Sequence, residues 1–526
     1  MFLRQYLWIA VLAAAAPASP AAVPAEAAAP RFDVWEFRVT GNTVLPGIAI
    51  EKVVYPLLGP GKTIEDVNAA RAAVEQAYRD AGFATVFVDV PEQDVDRGIV
   101  RLTVTEGRVG RVRVTGSRYF ANGWIREQVP AVAPGTIPRI EAFQSQLKAL
   151  NLRSPDRQLT PVLRPGAAPG TVDIELKVRD EFPLNGSLEV NNRNSASTTD
   201  TRLEAAVRYD NLWQRDHSFG LQYQVAPEDP DETRVIAGSY VLRPRASGAA
   251  FAFYGLSSDS DIAVVGGEIS SIGKGRVYGA RAIVPLAGDS IYHSLALGVD
   301  YKDFDETIGF NAEGEDDIVT PISYLNWSLG WNGSVPGDDR TQSFDVTANL
   351  GLRGVGNEAG EFADKRFKGR PNYVYLEAGY EVLQALPWWG TTLALELRGQ
   401  VAWQPLISNE QFAAGGRDSV RGYYEGEALG DYGVQVSAEW RSPNIGPRLW
   451  KALTNLYGYG FLDGARLMLH DPLPSQADYT LLSAGAGLQL AADPLTAALD
   501  LAIPLHDGAS TEKGDERLLF SVRYGF

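Results

Sequence analysis

From residue 182 to its end the chain repeats one pattern. Segments of up to about ten residues alternate apolar or aromatic side chains with polar ones, and turn residues separate them. A period of two puts successive side chains on opposite faces of an extended strand, so each segment has one apolar face and one polar face. The segments are 187–190, 202–209, 219–225, 235–242, 251–256, 277–284, 295–301, 322–329, 344–352, 374–382, 393–401, 434–440, 456–467, 481–490, 496–503 and 518–526. A series of about sixteen exceeds the usual two-sheet sandwich. An even number of half-apolar strands is what an antiparallel transmembrane barrel of the bacterial outer membrane requires.

The connections give an independent test. Those at 211–216, 244–248, 287–290 and 491–494 are short, and they alternate with long ones at 257–274, 303–319, 354–370, 405–431 and 506–515. Short turns on the periplasmic side and long loops outside are the habit of such barrels. In this register the loop around 405–431 leaves from the external end, and Phe526 closes the last strand on the periplasmic side.

The barrel is expected over 183–526, and what precedes it differs in kind. Residues 1–22 have Arg4 as the early charge, an apolar run and small-residue cleavage options, which predicts a secretory signal peptide. Residues 32–107 show a strand at 34–39, helices at 48–55 and 64–81 ending at Gly82, then strands at 85–90 and 98–104. Residues 108–180 repeat that β-α-α-β-β order: strand 112–114, helices 124–129 and 140–150, strands 158–163 and 172–178. The copies share a start, Phe37-Arg-Val-Thr-Gly-Asn42 against Val112-Arg-Val-Thr-Gly-Ser117. Their final strands alternate alike when Val100–Glu106 is set against Val172–Val178. Two small α+β modules are therefore expected before the barrel.

Composition narrows the function. A net charge of −17 argues against a nucleic-acid partner. With no cysteine there are no disulfides, thiolate metal sites, cysteine nucleophiles or lipoprotein-type anchor. His217, His293, His470 and His506 stand singly, so no metal centre and no cofactor are expected. Nucleophile-elbow, P-loop and H-E-x-x-H patterns are missing, which leaves an enzyme no residues to work with. The segment 270–275 lacks phosphate-loop spacing. The acidic run 313–317 has two alternatives, a cation-gathering patch at the lipid headgroups or an ordinary solvated loop.

The stretch Gly415-Gly-Arg-Asp-Ser-Val-Arg-Gly-Tyr-Tyr-Glu-Gly-Glu427 lies in a connection far longer than two strands need. Folded into a polar lumen, Arg421 would require a carboxylate, and Asp463 on the strand after next is flanked by small residues that leave room. The alternative leaves Arg421 an exposed loop charge and pairs Asp463 with nearby Arg466.

Val420-Arg421-Gly422-Tyr423 resembles the lumenal-loop signature of the two-partner secretion transporters, the haemolysin secretion/activation (ShlB/FhaC/HecB, or TpsB) family of the POTRA-plus-barrel superfamily. Gly41–Pro46, Tyr78–Gly82 and Gly98–Gly107 resemble its first POTRA module, and Gly110–Phe120 the start of its second. The resemblance implies two periplasmic POTRA modules before the outer-membrane barrel. It also implies a pairing of Arg421 with an aspartate in an F-x-D-x-G strand motif. Phe461 and Asp463 match that motif, but its final glycine position is Ala465, with Gly464 one place early. The resemblance further implies a secreted partner exoprotein, large, β-helical and haemolysin- or adhesin-like, exported unfolded without ATP. Biogenesis would use the barrel-assembly machinery, with Tyr524 and Phe526 as the C-terminal signal. The alternative is an assembly or insertion factor of the same superfamily, a branch that often has more POTRA modules, while a passive porin would need none. Between the expected cleavage region and Phe32 only a short Ala/Pro-rich stretch remains, so a pore-filling N-terminal helix is not expected.

Overall fold

The computed structural model describes residues 30–526 except 96, 245–247, 261–262, 266–267, 271–273, 287, 289, 309–317 and 475. The expected signal peptide and the acidic run 313–317 lie outside the described residues, and 270–275 lies partly outside them.

Among the described residues, sixteen antiparallel strands close into a barrel, from Leu184–Asn191 to Arg517–Gly525. Each strand pairs with its neighbours in sequence, and the last returns to the first through Ser521↔Asn191 to Gly525↔Ser187. Fourteen of the sixteen expected segments fall within these strands, and 344–352 and 518–526 each run one residue past theirs. Side-chain parity follows the alternation: in Tyr432–Arg441 the apolar Val434, Val436 and Trp440 are exposed outward, while Gln435 is buried inside. Closure leaves no sheet edge, so every strand's backbone groups are paired within the membrane. No helix among the described residues is long and apolar enough to cross a membrane.

Short connections such as 213–216, 336–339 and 493–494 alternate with long ones. One connection on the short side, 442–454, is longer than expected and carries the helix Gly446–Leu449. On the long side, 352–373 carries an unforeseen helix, Ala359–Lys365, whose Phe362 packs on Tyr324 and Tyr373.

The chain divides into two compact units. One comprises the described residues up to Arg113 together with Val129–Lys148 and Pro161–Leu176, while the other comprises Val114–Gln128, Ala149–Thr160 and Lys177–Phe526. The first α+β module has a three-stranded sheet with Ile99–Glu106 central, Glu36–Thr40 parallel to it and Val86–Asp89 antiparallel at the other edge. Its helix Ile64–Asp80 starts in a capping box between Thr63 and Asp66 and buries Val67, Ala70, Val74 and Tyr78. The single strand expected at 34–39 is split at Trp35. Phe32–Val34 pairs instead with a short strand, Gly59–Lys62, that the sequence pattern did not reveal, and this leaves Trp35 exposed. The second module's sheet runs in the order Arg108–Thr115, Thr171–Asp180, Arg157–Pro165, with helices Asn122–Glu127 and Ile140–Leu152.

The internal repeat is finer than the strand pattern shows, and its register differs by two residues from the one expected. At the end of the first module's central strand, the Glu106 carboxylate accepts the amides of Thr43 (2.6 Å) and Val44 (3.0 Å), the Thr43 hydroxyl, and the Tyr78 hydroxyl (3.0 Å). In the second module Asp180 does the same work. It accepts the Ser117 hydroxyl (2.9 Å) and the amides of Arg118 (2.9 Å) and Tyr119 (2.8 Å). Glu106 therefore corresponds to Asp180, and Val178 corresponds to Val104. A Cβ on Gly41 would meet the Val104 carbonyl at 2.2 Å, and one on Gly116 would meet the Val178 carbonyl at 2.4 Å. A slip of two residues keeps every side chain on its face, so alternation alone could not fix this register.

Burial alone would raise the Glu106 carboxyl, but the hydrogen bonds from Thr43, Val44 and Tyr78 outweigh it and hold it below the usual carboxylate range. Burial, reinforced by Glu106, pushes the Tyr78 hydroxyl up.

Candidate functional site

The connection 403–431 folds as a hairpin arm. Phe412–Ala414 pairs with Ala428–Gly430, and the tip between them holds Val420-Arg421-Gly422-Tyr423. At its root the buried Asp431 accepts the amides of Leu406 (2.9 Å) and His470 (2.7 Å) and the Gln411 side chain (2.9 Å). Two groups of the arm itself and one from the connection after Asn455–Met468 thus fix where the arm begins.

At the tip, Arg421 is 6% exposed and Asp463 fully buried. The guanidinium makes two parallel bonds, Nε to Oδ2 at 2.7 Å and Nη2 to Oδ1 at 2.8 Å, and the Arg421 amide adds a third at 3.2 Å. Its remaining edge donates from Nη1 to Glu439 Oε1 (2.6 Å) and from Nη2 to Ser437 Oγ (3.3 Å). Ser437 in turn donates to Asp463 (2.7 Å). The Phe461 ring lies under the guanidinium, 3.6 Å from its carbon to the ring centroid. Delocalised charge, fork geometry and weak hydration suit arginine to this place in a way lysine cannot match.

Strand parity decides between the two partners considered for Asp463. In Asn455–Met468 the residues Phe461, Asp463, Ala465 and Leu467 face inward and are buried, whereas Arg466 faces out and pairs with Asp478 (3.3 Å).

A family model described as haemolysin secretion/activation protein ShlB/FhaC/HecB matches residues 170–490, and an ShlB-type POTRA domain matches 32–107. The chain belongs to the ShlB/FhaC/HecB family. It is 24% identical over 484 residues to the outer membrane transporter CdiB of Dickeya dadantii (strain 3937), covering 87% of this chain and 79% of that one. It is 20% identical over 400 residues to the heme/hemopexin transporter protein HuxB of Haemophilus influenzae (strain 86-028NP), covering 73% and 67%. In fold it matches CdiB from Escherichia coli with a TM-score of 0.68 at 17% identity, covering 96% of this chain and 93% of that one. It also matches BamA from Haemophilus ducreyi lacking POTRA domains 1–3, with a TM-score of 0.55 at 16% identity, covering 94% and 100%. As an ShlB/FhaC/HecB protein it is an outer-membrane transporter with periplasmic POTRA modules, and members of this family are transporters rather than enzymes.

The departure from the family's strand motif has a local explanation. Ala465 occupies the inward position and packs with Val420, Tyr423, Ala428 and Leu467, so its methyl group fills the floor beneath the loop tip. Gly464 faces outward beside Leu482. In the loop motif, Gly422 has a φ of +93°, a conformation side chains rarely adopt, and lies against Ala502 and Pro504. The Tyr423 hydroxyl donates to the His506 carbonyl (2.8 Å) and receives the Leu482 amide (3.2 Å).

The sequence motifs missed most of what surrounds this pair. Arg417 donates to Asp500 (3.2 Å) and Ser521 (3.2 Å), and Asp500 also accepts the Tyr459 hydroxyl. Arg193, just past the first strand, bonds Asp418 and Glu425. Glu427 accepts the amides of Ser510 (2.6 Å) and Thr511 (2.8 Å) from the last external loop. Inward parity marks Glu439 and Asp500 as lumenal acids, so sequence could have placed them in the lumen. Nothing local marks Glu425 or Glu427. Tyr524 and Phe526 lie at the seam of the barrel, where Tyr524 is paired with Leu188. Phe526 exchanges backbone hydrogen bonds with Gly186 (2.8 and 2.9 Å).

With the arm in place the lumen keeps a cavity of about 1150 Å³. Its wall carries Arg208, Arg281, Arg398, Asp345 and Glu377 among many small residues, and the arm contributes residues 409–413, 418 and 419. The space is lined by polar and apolar surface in nearly equal share and by charges of both signs.

Proposed function

We propose that this protein captures an unfolded partner exoprotein with its POTRA modules and passes it through the barrel to the cell surface without ATP. The lumenal arm acts as the gate. The observation that carries this is a tip held inside a closed polar barrel by one buried, fully hydrogen-bonded arginine–aspartate pair, next to a cavity that the arm partly fills. A pair of this kind holds one discrete position until both partners are released together. The residues placed in it are Val420, Arg421, Gly422 and Tyr423 on the arm, with Phe461 and Asp463 on the strand.

Capture is assigned to the edge strand Val86–Asp89 and the helix Ile64–Asp80 beside it, where an extended client adds a strand. Folding of a β-helical client outside supplies the direction of transport. Tyr524 and Phe526, at the end of the closing strand, serve as the signal to the barrel-assembly machinery.

The test is deletion of the gene in a cell that also makes a large β-helical exoprotein. Loss of that exoprotein from the surface and medium, with other outer-membrane barrels at normal levels, is expected. A general fall in barrel proteins with the exoprotein still exported would instead identify an assembly factor.

A further inference from the structure

We propose that Glu410 is a second anchor of the lumenal arm, a positioning residue that holds the root of the arm on a different set of strands when the Arg421 tip is released. This rests on the gating role assigned to the arm.

The short 3₁₀ turn Ser408–Glu410 lies between Ile407, packed in an apolar cluster, and the first strand of the arm. Leu406 and Ile407 are 1% exposed and pack with Phe304, Ile322, Tyr324, Phe362 and Tyr375. That packing carries the Glu410 side chain into the wall, where it is completely buried. Its Oε1 accepts Lys302 Nζ (2.5 Å) and the Tyr324 hydroxyl (2.5 Å), and its Oε2 accepts the Tyr375 hydroxyl (2.6 Å). The Gln400 side chain holds the Glu410 carbonyl (3.1 Å).

The two anchors share no residue and no strand. The tip uses Tyr432–Arg441 and Asn455–Met468, whereas the root uses Tyr292–Ile308, Ile318–Val335 and Val374–Ala385. Their polarity is also reversed. At the tip the arm brings the cation to a carboxylate on the wall, and at the root it brings the carboxylate to a cation and two hydroxyls. A buried carboxylate with three donors resists displacement, because leaving means desolvated groups without partners. Loss of the tip pair therefore loosens the tip, which keeps its weaker contacts through Arg417, Asp418 and Glu427, and leaves the root's face of the cavity unchanged.

The chain has no cysteine, so labels can be placed singly without interference. Nitroxide pairs between the cavity wall at Ala296→Cys and either the root at Asn409→Cys or the tip at Asp418→Cys would be read by pulsed electron resonance in the full-length protein. In Arg421→Ala the tip distance distribution broadens while the root distribution stays narrow. In Glu410→Gln the root broadens. The pair Tyr324→Phe with Tyr375→Phe, which keeps the carboxylate and its lysine, broadens the root to a lesser degree and covers the case in which the Glu410 variant fails to assemble. A root that moves with the tip in Arg421→Ala, or one that stays narrow without Glu410 or its hydroxyl partners, overturns the proposal. Failure of the gating role shows differently. Export by Arg421→Ala would continue at the normal rate while the tip is free, whatever the root does.

Discussion

Arg421 and Asp463, 42 residues apart in sequence, meet through two parallel N–H···O bonds of 2.7 and 2.8 Å inside the barrel, with the Phe461 ring beneath the guanidinium. The contact joins an external connection to the polar face of a membrane strand, so the arm's position is set by side-chain chemistry rather than by chain length.

Removing one member of a buried pair costs about 3–5 kcal/mol, because the other is left charged and unpaired. Arg421→Ala and Asp463→Ala are each expected to free the arm and reduce export sharply. The double variant should fall well short of the sum of the two. A double-mutant cycle on arm protection from protease, with barrel assembly checked by heat-modifiable mobility, measures this; strict additivity would show that the pair is not coupled. Arg421→Lys is expected to behave like the alanine variant, since it loses the fork.

Ala465 fills the floor under Val420 and Tyr423. Ala465→Gly, which restores the family's spacing, is expected to be nearly neutral for export. Ala465→Leu overpacks the floor at a cost of about 1–3 kcal/mol and displaces the tip. The same protease assay reads both, and a protected arm in the leucine variant would count against this packing.

Glu106 gives the first POTRA module a definite pH dependence. Its carboxyl is held low in the folded state, so the stability it contributes is present above its unfolded value and is lost as pH falls through the folded one. Hydrogen exchange of residues 32–107 in the intact chain should show protection falling with acidity, and Glu106→Gln should flatten that slope. An unchanged slope would mean that another carboxylate is responsible.

Gly41→Ala puts a methyl group 2.2 Å from the Val104 carbonyl at a φ of +88°. A strained backbone of this kind costs about 1–3 kcal/mol. The module should loosen, and client capture should weaken, while the barrel still assembles at normal levels. Pull-down of the unfolded client, set against barrel abundance, separates the two effects.

The capture edge carries its own guard. The Val88 amide donates to Glu75 Oε1 (3.1 Å) rather than to a strand. Glu75→Ala frees that donor and is expected to tighten client binding severalfold if the client adds at Val86–Asp89. Unchanged affinity would place capture elsewhere.

The barrel was legible because closure in a membrane demands a period of two over every strand, and the chain shows it sixteen times. The modules were legible because a helix of period 3.6 and strands of period two sit in the same order twice. The split at Trp35 and the strand Gly59–Lys62 were not, since a strand as short and glycine-rich as Gly59–Lys62 carries no alternation. For the same reason the helix Ala359–Lys365 passed unseen inside a long connection.

Alternation along Asn455–Met468 put Asp463 and Arg466 on opposite faces, and the spacing of the turns put the long arm at the external end. Those consequences of period and parity the sequence by itself determined. Tertiary structure alone decided that the arm's root is held by Glu410 on one set of strands and its tip by Asp463 on another. It also decided that Asp180, two places beyond the alternation match, is the counterpart of Glu106. Both depend on which distant donors surround a carboxylate, and a one-dimensional pattern of polar and apolar residues contains no distance.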